Sequence, residues 1–279
     1  MLISIQFIIF QLFMKKVNKI FFLATSLLDV VKKYTLRSKI TSLNGSLFNG
    51  LFGFGMLESV STSFYIVDHT NDTVFKLDDT WAYVGRNSFY KPTWVIVVSS
   101  SLYISGDSNI YKVDNNLNVL KQYNASITIP FYRGIYYDPA DYLIYAASPS
   151  LHAIHVFDLN LSLNGNISTS TYEPRSIVGY NSKLYVGTTV GTILLILNRA
   201  IINSFDGCLG NSTVVTSILF DQFGYMATIC NSYNRMYLYH SNGTYVGKSL
   251  ATVTSPYVSK FDSIGRFIIV SWYQISFYY

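Results

Sequence analysis

Charge is scarce in this 279-residue chain: 13% of its residues are Asp, Glu, Lys or Arg, against roughly 25% in ordinary soluble domains. What charge there is lies unevenly. Residues 1–40 hold seven Lys or Arg and one acid, Asp29, for +6, while the remaining 239 hold 13 basic and 14 acidic side chains, for −1. The basic pI therefore belongs to the amino-terminal segment, and the body lacks the positive footprint that a phosphate backbone requires. Nucleic acid is excluded as a partner of that body.

Long apolar runs are also missing. Leu2–Phe13 and Ile20–Leu28 both fall short of the ~20 apolar residues that cross a bilayer as a helix. Lys15, Lys16 and Lys19 precede the second run, which gives residues 1–31 the basic start and short apolar centre of a secretory signal. The leader is read as a signal peptide, a signal anchor, or a buried segment. Membrane contact would come only through an anchor there. Cysteine is limited to Cys208 and Cys230, with no CxxC and no Cys/His ligand spacing, so neither a zinc site nor any other metal site is expected. Phosphate loops, nucleophile elbows and zinc-protease helices are absent as well, and no cofactor is expected.

What the sequence does have is a period. Leu102-Tyr103-Ile104-Ser105-Gly106 returns as Leu143-Ile144-Tyr145-Ala146-Ala147, Leu184-Tyr185-Val186-Gly187-Thr188, Tyr225-Met226-Ala227-Thr228-Ile229 and Arg266-Phe267-Ile268-Ile269-Val270, each time after 41 residues. An earlier copy begins at Phe64, 38 residues before Leu102. A period near 40 with strand-like content marks propeller blades of four strands. The 24 Tyr and 19 Phe suit strands half buried between stacked sheets. First strands often follow a proline, as at Pro92, Pro130 and Pro174; third strands such as Ile110–Asp114 and Ile154–Asp158 end on a turn residue.

The last unit stops one strand short, after strands near Tyr257–Asp262, Arg266–Val270 and Ile275–Tyr279. An unpaired third strand would leave an open row of backbone donors and acceptors. Lys33–Ile40 stands where a fourth strand belongs, so it is expected to complete that sheet. The expectation is an all-β, six-bladed β-propeller of four-stranded antiparallel blades over residues 32–279, a single domain with its last blade closed by an N-terminal strand.

The pattern Pro-X-X-Ile, turn, Leu-Tyr-Val-X, loop, Ile-X-X-Phe-Asp over residues 49–279 resembles the NHL-repeat type of six-bladed propeller. Leu51 stands where that family usually has Pro, and the fifth and sixth units lack the initial Pro. The resemblance bears on fold and is almost silent on activity. Propeller lyases and lactonase-type hydrolases of similar fold hold a metal at the channel mouth with inward-facing acids, Asn or His. Here the innermost strands carry almost no such groups, and Glu58, Asp138, Asp221 and Asp262 fall in the far turns, where turn chemistry explains them.

Seven Asn stand in Asn-X-Ser/Thr sequons: Asn44, Asn71, Asn124, Asn160, Asn166, Asn211 and Asn242. They are either glycan acceptors of an exported glycoprotein or turn-filling residues. In the blade arrangement Cys208 and Cys230 lie at one end of the fifth unit, so they are read as a disulfide or as two separate thiols. The four His are taken as loop and surface residues, with His152 and His155 on opposite faces of a strand.

Arg86, Tyr90, Lys91, Arg133, Tyr172 and Arg175 come from successive inter-blade connections. Arg133 and Arg175 occupy near-equivalent places by the channel mouth, where two guanidinium groups could grip a carboxylate or sulfate, or simply stand solvated. The reading that results is a secreted or lumenal, monomeric scaffold whose loop face binds a protein, peptide or glycan. The alternatives are a metal-dependent propeller lyase or hydrolase, and a membrane-anchored ectodomain.

Overall fold

The computed structural model describes residues 36–40, 42–43, 46–47, 51–57, 63–125, 131–221, 223–231, 235–248, 256–261, 267–271 and 274–278. The leader at 1–31, residues 33–35, Asn44, Glu58, Pro130 and Asp262 lie outside them.

The chain folds as a β-propeller of four-stranded antiparallel sheets. Five sheets are each made of four consecutive strands. The first holds Leu51–Leu57, Ser63–Asp68, Thr73–Leu77 and Tyr83–Ser88; the second Pro92–Val98, Ser101–Gly106, Asn109–Asp114 and Val119–Asn124. The third holds Ile135–Asp138, Leu143–Ser148, Ala153–Phe157 and Leu163–Ser168; the fourth Pro174–Tyr180, Lys183–Thr188, Thr192–Leu197 and Ala200–Asp206. The fifth holds Val215–Phe220, Tyr225–Cys230, Arg235–His240 and Tyr245–Lys248.

Blades of consecutive strands thus number five, not the six expected. The remaining four-stranded sheet is composite: Pro256–Phe261, Phe267–Ser271 and Gln274–Tyr278 are joined by Leu36–Ile40, which pairs antiparallel with Gln274–Tyr278 in the register Ile40↔Ile275 and Lys39↔Ser276. The first strands touch one another in cyclic order, the composite sheet's against the fifth sheet's on one side and the first sheet's on the other.

Second and third strands are almost wholly buried, as in the runs Ser63–Asp68 and Ala153–Phe157. Fourth strands are mostly exposed. This gradient follows from stacking, because a second or third strand has a neighbouring sheet on both faces. Tyr65, Val67, Leu102 and Ile104 share one inter-sheet cluster, and Tyr145, Val156, Leu184 and Ile196 share another.

Two devices recur at the junctions. The first is a five-residue turn between third and fourth strands. Asp78, Asp114 and Asp158 open it, and each carboxylate accepts backbone N–H groups two and four residues on, at 2.8–2.9 Å. These bonds, with side-chain donors from Thr80 and Asn118 leading for the first two, hold the three carboxyls below their ordinary range. Three residues past each Asp, Trp81, Leu117 and Leu161 adopt φ of 57–67°, and each side chain is buried against the preceding sheet. A left-handed conformation is costly for such residues, and burial of the side chain offsets it.

The second device is a strut. The hydroxyls of Tyr65, Tyr103 and Tyr185 donate across the junction to the carbonyls of Asn115, Leu159 and Ser241 in the next sheet's turn, at 2.7–3.0 Å. Lys76 and Lys112 donate to the first two of those same carbonyls, at 2.8 and 3.0 Å.

Candidate functional site

The loops after the second strands and the connections between sheets gather on one face of the ring. Every described first strand but the third sheet's arrives there through a bulge. Two of its residues oppose one on the second strand between Pro92 and Trp94, Pro174 and Ser176, and Val215 and Ser217. The extra residues, Thr93, Arg175 and Thr216, are re-aimed as bulges do. Hydroxyls beside them latch the sheets together. Thr93 donates to Tyr132 O at 2.8 Å, Ser176 to Val215 O at 2.9 Å and Thr216 to Pro256 O at 3.2 Å. At the third sheet the Gly134 amide donates to Arg175 O at 2.8 Å. A β-carbon on Gly134 would fall 2.9 Å from that oxygen, so only glycine permits the approach.

This latch brings Arg133 and Arg175 to adjoining positions along the backbone. Their side chains differ in surroundings. The Arg133 guanidinium lies 3.5 Å from the Phe131 ring centroid, and its charge is felt by Asp107 and His69. Arg175 is the half-buried bulge residue of the fourth sheet. Tyr172 is half-buried in the preceding connection, where its carbonyl accepts from the Thr169 hydroxyl at 2.6 Å. Tyr90 is 56% exposed. Arg86 sits on the outermost strand opposite Phe75 and is exposed, so it stands apart from the channel mouth.

Around Arg133 the structure assembles a cluster that the sequence only hints at. Three segments meet: the His69–Asp72 loop, the Phe89–Lys91 connection and the Asp107 loop. Lys91 donates its amide to the Asp72 carboxylate at 2.9 Å, with its ammonium 3.9 Å from the same oxygen. The Asp107 amide donates to Lys91 O at 3.2 Å. Gly106 makes this possible, since a β-carbon there would lie 2.6 Å from Tyr90 O. His69 Nδ1 is 3.1 Å from Pro92 O, and one carboxylate oxygen of Asp107 is buried without a hydrogen-bond partner.

Electrostatics follow from this packing. Burial raises the Asp107 carboxyl above its ordinary value, although Arg133, His69 and Lys91 pull it down. Burial lowers the His69 imidazole; Asp107 opposes that shift, and Arg133 and Lys91 reinforce it. A carboxyl pushed up beside an imidazole pushed down marks a place where a ligand's polar or charged group would find partners held ready. His69 and Asp107 occupy one slot in consecutive repeats, 38 residues apart, and that equivalence was the available signal.

Of the other histidines, His155 departs from the loop-and-surface reading. His155 is not a surface residue: it is buried, and its Nδ1 lies 2.7 Å from the Tyr132 hydroxyl. His152 is half-buried at φ 48° beyond the turn Pro149–Leu151, and His240 is exposed with its ring 5.2 Å from that of Tyr225. Among the described residues no group of three or more His, Cys, Asp or Glu converges as a metal would require. Asp138 and Asp221 cap their turns, accepting from Ala140 N and from Phe223 N and Tyr225 N.

Cys208 and Cys230 form a disulfide with their Cα atoms 6.0 Å apart. It ties the connection between the fourth and fifth sheets to the end of the fifth sheet's second strand. Of the described sequons, Asn71, Asn124, Asn160, Asn166 and Asn242 are exposed. Asn211 is half-buried, and its amide donates to Cys208 O at 2.8 Å. No described helix is long and apolar enough to cross a membrane.

No protein-family model matches the chain, and no curated protein matches it. Solved structures are similar in fold. Virginiamycin B lyase from Staphylococcus aureus aligns at 12% identity with a TM-score of 0.67, covering 86% of this chain and 83% of that one. A catalytically inactive histidine-to-alanine form of that lyase, solved with quinupristin, aligns equally well. A streptogramin B lyase aligns at 14% identity with a TM-score of 0.65, covering 90% and 99%. The WD40 β-propeller domain of Doa1 aligns at 9% identity with a TM-score of 0.65, covering 89% and 97%. At these identities the likeness is one of fold.

Proposed function

We propose that this protein is a secreted or lumenal propeller scaffold, with NHL-like repeats, whose loop face binds a protein, peptide or glycan partner. The observation that carries the reading is the cluster of Asp107, His69, Arg133 and Lys91. It is drawn from loops of successive sheets, is partly withdrawn from water, and is borne on a frame latched at the four junctions that run from the second sheet to the composite one. A rigid frame lets loops set specificity at small entropic cost. Within this reading residues 32–279 form one monomeric domain, and the composite sheet counts as the sixth sector of the ring.

Export rests on the disulfide, which persists in oxidising compartments, and on five exposed sequons. Residues 1–31 would then be the signal peptide or an anchor. Mass spectrometry of the protein recovered from a eukaryotic host tests this: an intact leader with unmodified Asn at all seven sites would sink it. Binding is tested on peptide and glycan arrays probed with the full chain. Every binder should be lost on Arg133→Ala and weakened on Arg175→Ala, and equal binding by both variants rejects the site.

The second reading is a propeller lyase acting through the same face, favoured by the likeness to two lyases and by His69 standing among charged groups. Its test is direct. Turnover of quinupristin by the full chain, followed chromatographically and abolished by His69→Ala, would favour it over the scaffold reading; no turnover rejects that substrate.

A further inference from the structure

Among the described residues, the opposite face, where the turns lie, carries a cavity at the joint between the third and fourth sheets. In the first, second, third and fifth sheets the pairings across the third-to-fourth-strand turn are Leu77↔Tyr83, Val113↔Val119, Phe157↔Leu163 and Tyr239↔Tyr245, each enclosing five residues. In the fourth sheet Leu197 pairs with Ala200, enclosing only Asn198 and Arg199. Those two have φ of 50° and 63°, the left-handed pair that a two-residue hairpin demands.

Three fittings vanish with the shortened turn. No buried plug corresponds to Leu117 or Leu161. No turn carbonyl meets the hydroxyl of Tyr145, the counterpart of Tyr65, Tyr103 and Tyr185, and that hydroxyl makes no hydrogen bond to a described residue. The strand partner of Tyr145 is Val156, whereas Tyr65 and Tyr103 have Lys76 and Lys112 in that register. A cavity of about 280 Å³ occupies the space. Its floor is apolar and buried, formed by Tyr145, Ile167, Leu184 and Ile196, and its mouth carries Asp138, Asp141 and Arg199. The Arg199 guanidinium is turned to Asn164 O at 3.3 Å. Burial raises the Tyr145 hydroxyl above its ordinary value; Asp141 and Asp138 add to this and Arg199 opposes it.

We infer that this cavity is a binding site for an alkylammonium group, either a free small amine or the lysine side chain of another protein. At the first-to-second and second-to-third joints an aliphatic plug, Leu117 or Leu161, and a lysine ammonium, Lys76 or Lys112, fill this space. Here an aliphatic floor and two carboxylates remain, and an incoming methylene chain with a cationic head supplies both missing parts. Each carboxylate would accept from the ammonium, as charge-assisted bonds do, while the chain displaces water from Leu184 and Ile196.

The test is calorimetric titration of the full chain at pH 7 with n-butylamine, 1-butanol and a capped lysine peptide. Butylamine should bind, and the neutral, isosteric alcohol should bind at least about tenfold more weakly, the effect expected for hydrogen bonds to a charge. Asp138→Asn with Asp141→Asn keeps the turn cap and should weaken butylamine by about tenfold or more. Val156→Lys supplies the missing lysine and should abolish binding. Should that variant fail to fold, the double carboxylate variant decides alone. Binding of the lysine peptide as tightly as butylamine points to a protein source, and binding of butylamine alone to a small amine. Equal binding of amine and alcohol, no effect of the carboxylate variant, or no binding of butylamine overturns the proposal.

Discussion

Where the second sheet meets the third, the hydroxyl of Tyr103 and the ammonium of Lys112 converge on Leu159 O, and Leu161 closes the space between the sheets. Where the third meets the fourth, Tyr145 faces a cavity, Val156 replaces the lysine, and a two-residue hairpin replaces the plugging turn. Both joints nonetheless keep a continuous apolar core. Buried apolar area holds the sheets against one another, while the polar fittings fix how the turns sit. A joint that loses its fittings therefore keeps its place in the ring and gains a space.

The largest test of this contrast lies one joint further on, where the Tyr185 strut is joined by the disulfide. Replacing Cys208 and Cys230 together with Ser should cost about 3 kcal/mol for a loop of this length, read from urea unfolding; a loss below about 1 kcal/mol would show that packing alone holds that joint. Next in size is the strut itself. Tyr103→Phe should cost about 1 kcal/mol, because Leu159 O keeps its bond from Lys112, and Tyr145→Phe should lie within about 0.5 kcal/mol of the parent. Equal losses at the two tyrosines would erase the distinction between the joints.

The two faces also titrate in opposite senses. The folded Asp107 carboxyl is raised, so the folded state binds more protons and loses stability as pH rises from the unfolded carboxyl value through the folded one. Asp107→Asn should therefore stabilise the protein near neutrality, with the gain vanishing in acid below both values, in thermal melts across pH. A loss at neutral pH would instead show that Arg133 depends on that carboxylate. Asp78, Asp114 and Asp158 on the turn face are lowered. Their contribution is complete above the ordinary carboxyl value, about 3.9, and drains away as pH falls through the lower folded values. Asp158→Ala should flatten that acid limb slightly and leave the neutral range with a small, pH-independent loss of the cap; an unchanged limb would show that the turn bonds form equally in the unfolded chain.

Much of the scaffold was written in the sequence. The 41-residue interval marked the second strands, which are its most buried elements, and the missing last strand pointed to Leu36–Ile40. The period also concealed the most consequential irregularity. Between Leu184 and Tyr225 the shortened turn removes three residues relative to the five-residue turns, while the connection running from Gly207 to Val214 is three residues longer than Thr169–Glu173. The two changes offset each other, so the interval stays at 41. His155 was misjudged for a different reason. Strand alternation assigns it a side, but both sides of a third strand face another sheet, so neither is solvent. Arg133 was legible as a residue of an inter-sheet connection; its partners were not, because Asp107 and His69 come from separate repeats and meet only once the sheets stack.

The composite sheet carries a consequence for synthesis. Leu36–Ile40 leaves the ribosome ahead of every sheet of consecutive strands, while Gln274–Tyr278, the strand it hydrogen-bonds, is made only after all five of those sheets. Until then one strand must wait with its edge unsatisfied, exposed to adventitious pairing with other nascent chains. Closing the ring is thus a late event that joins residues more than 230 positions apart, and the step at which a chaperone that shields extended segments would matter most.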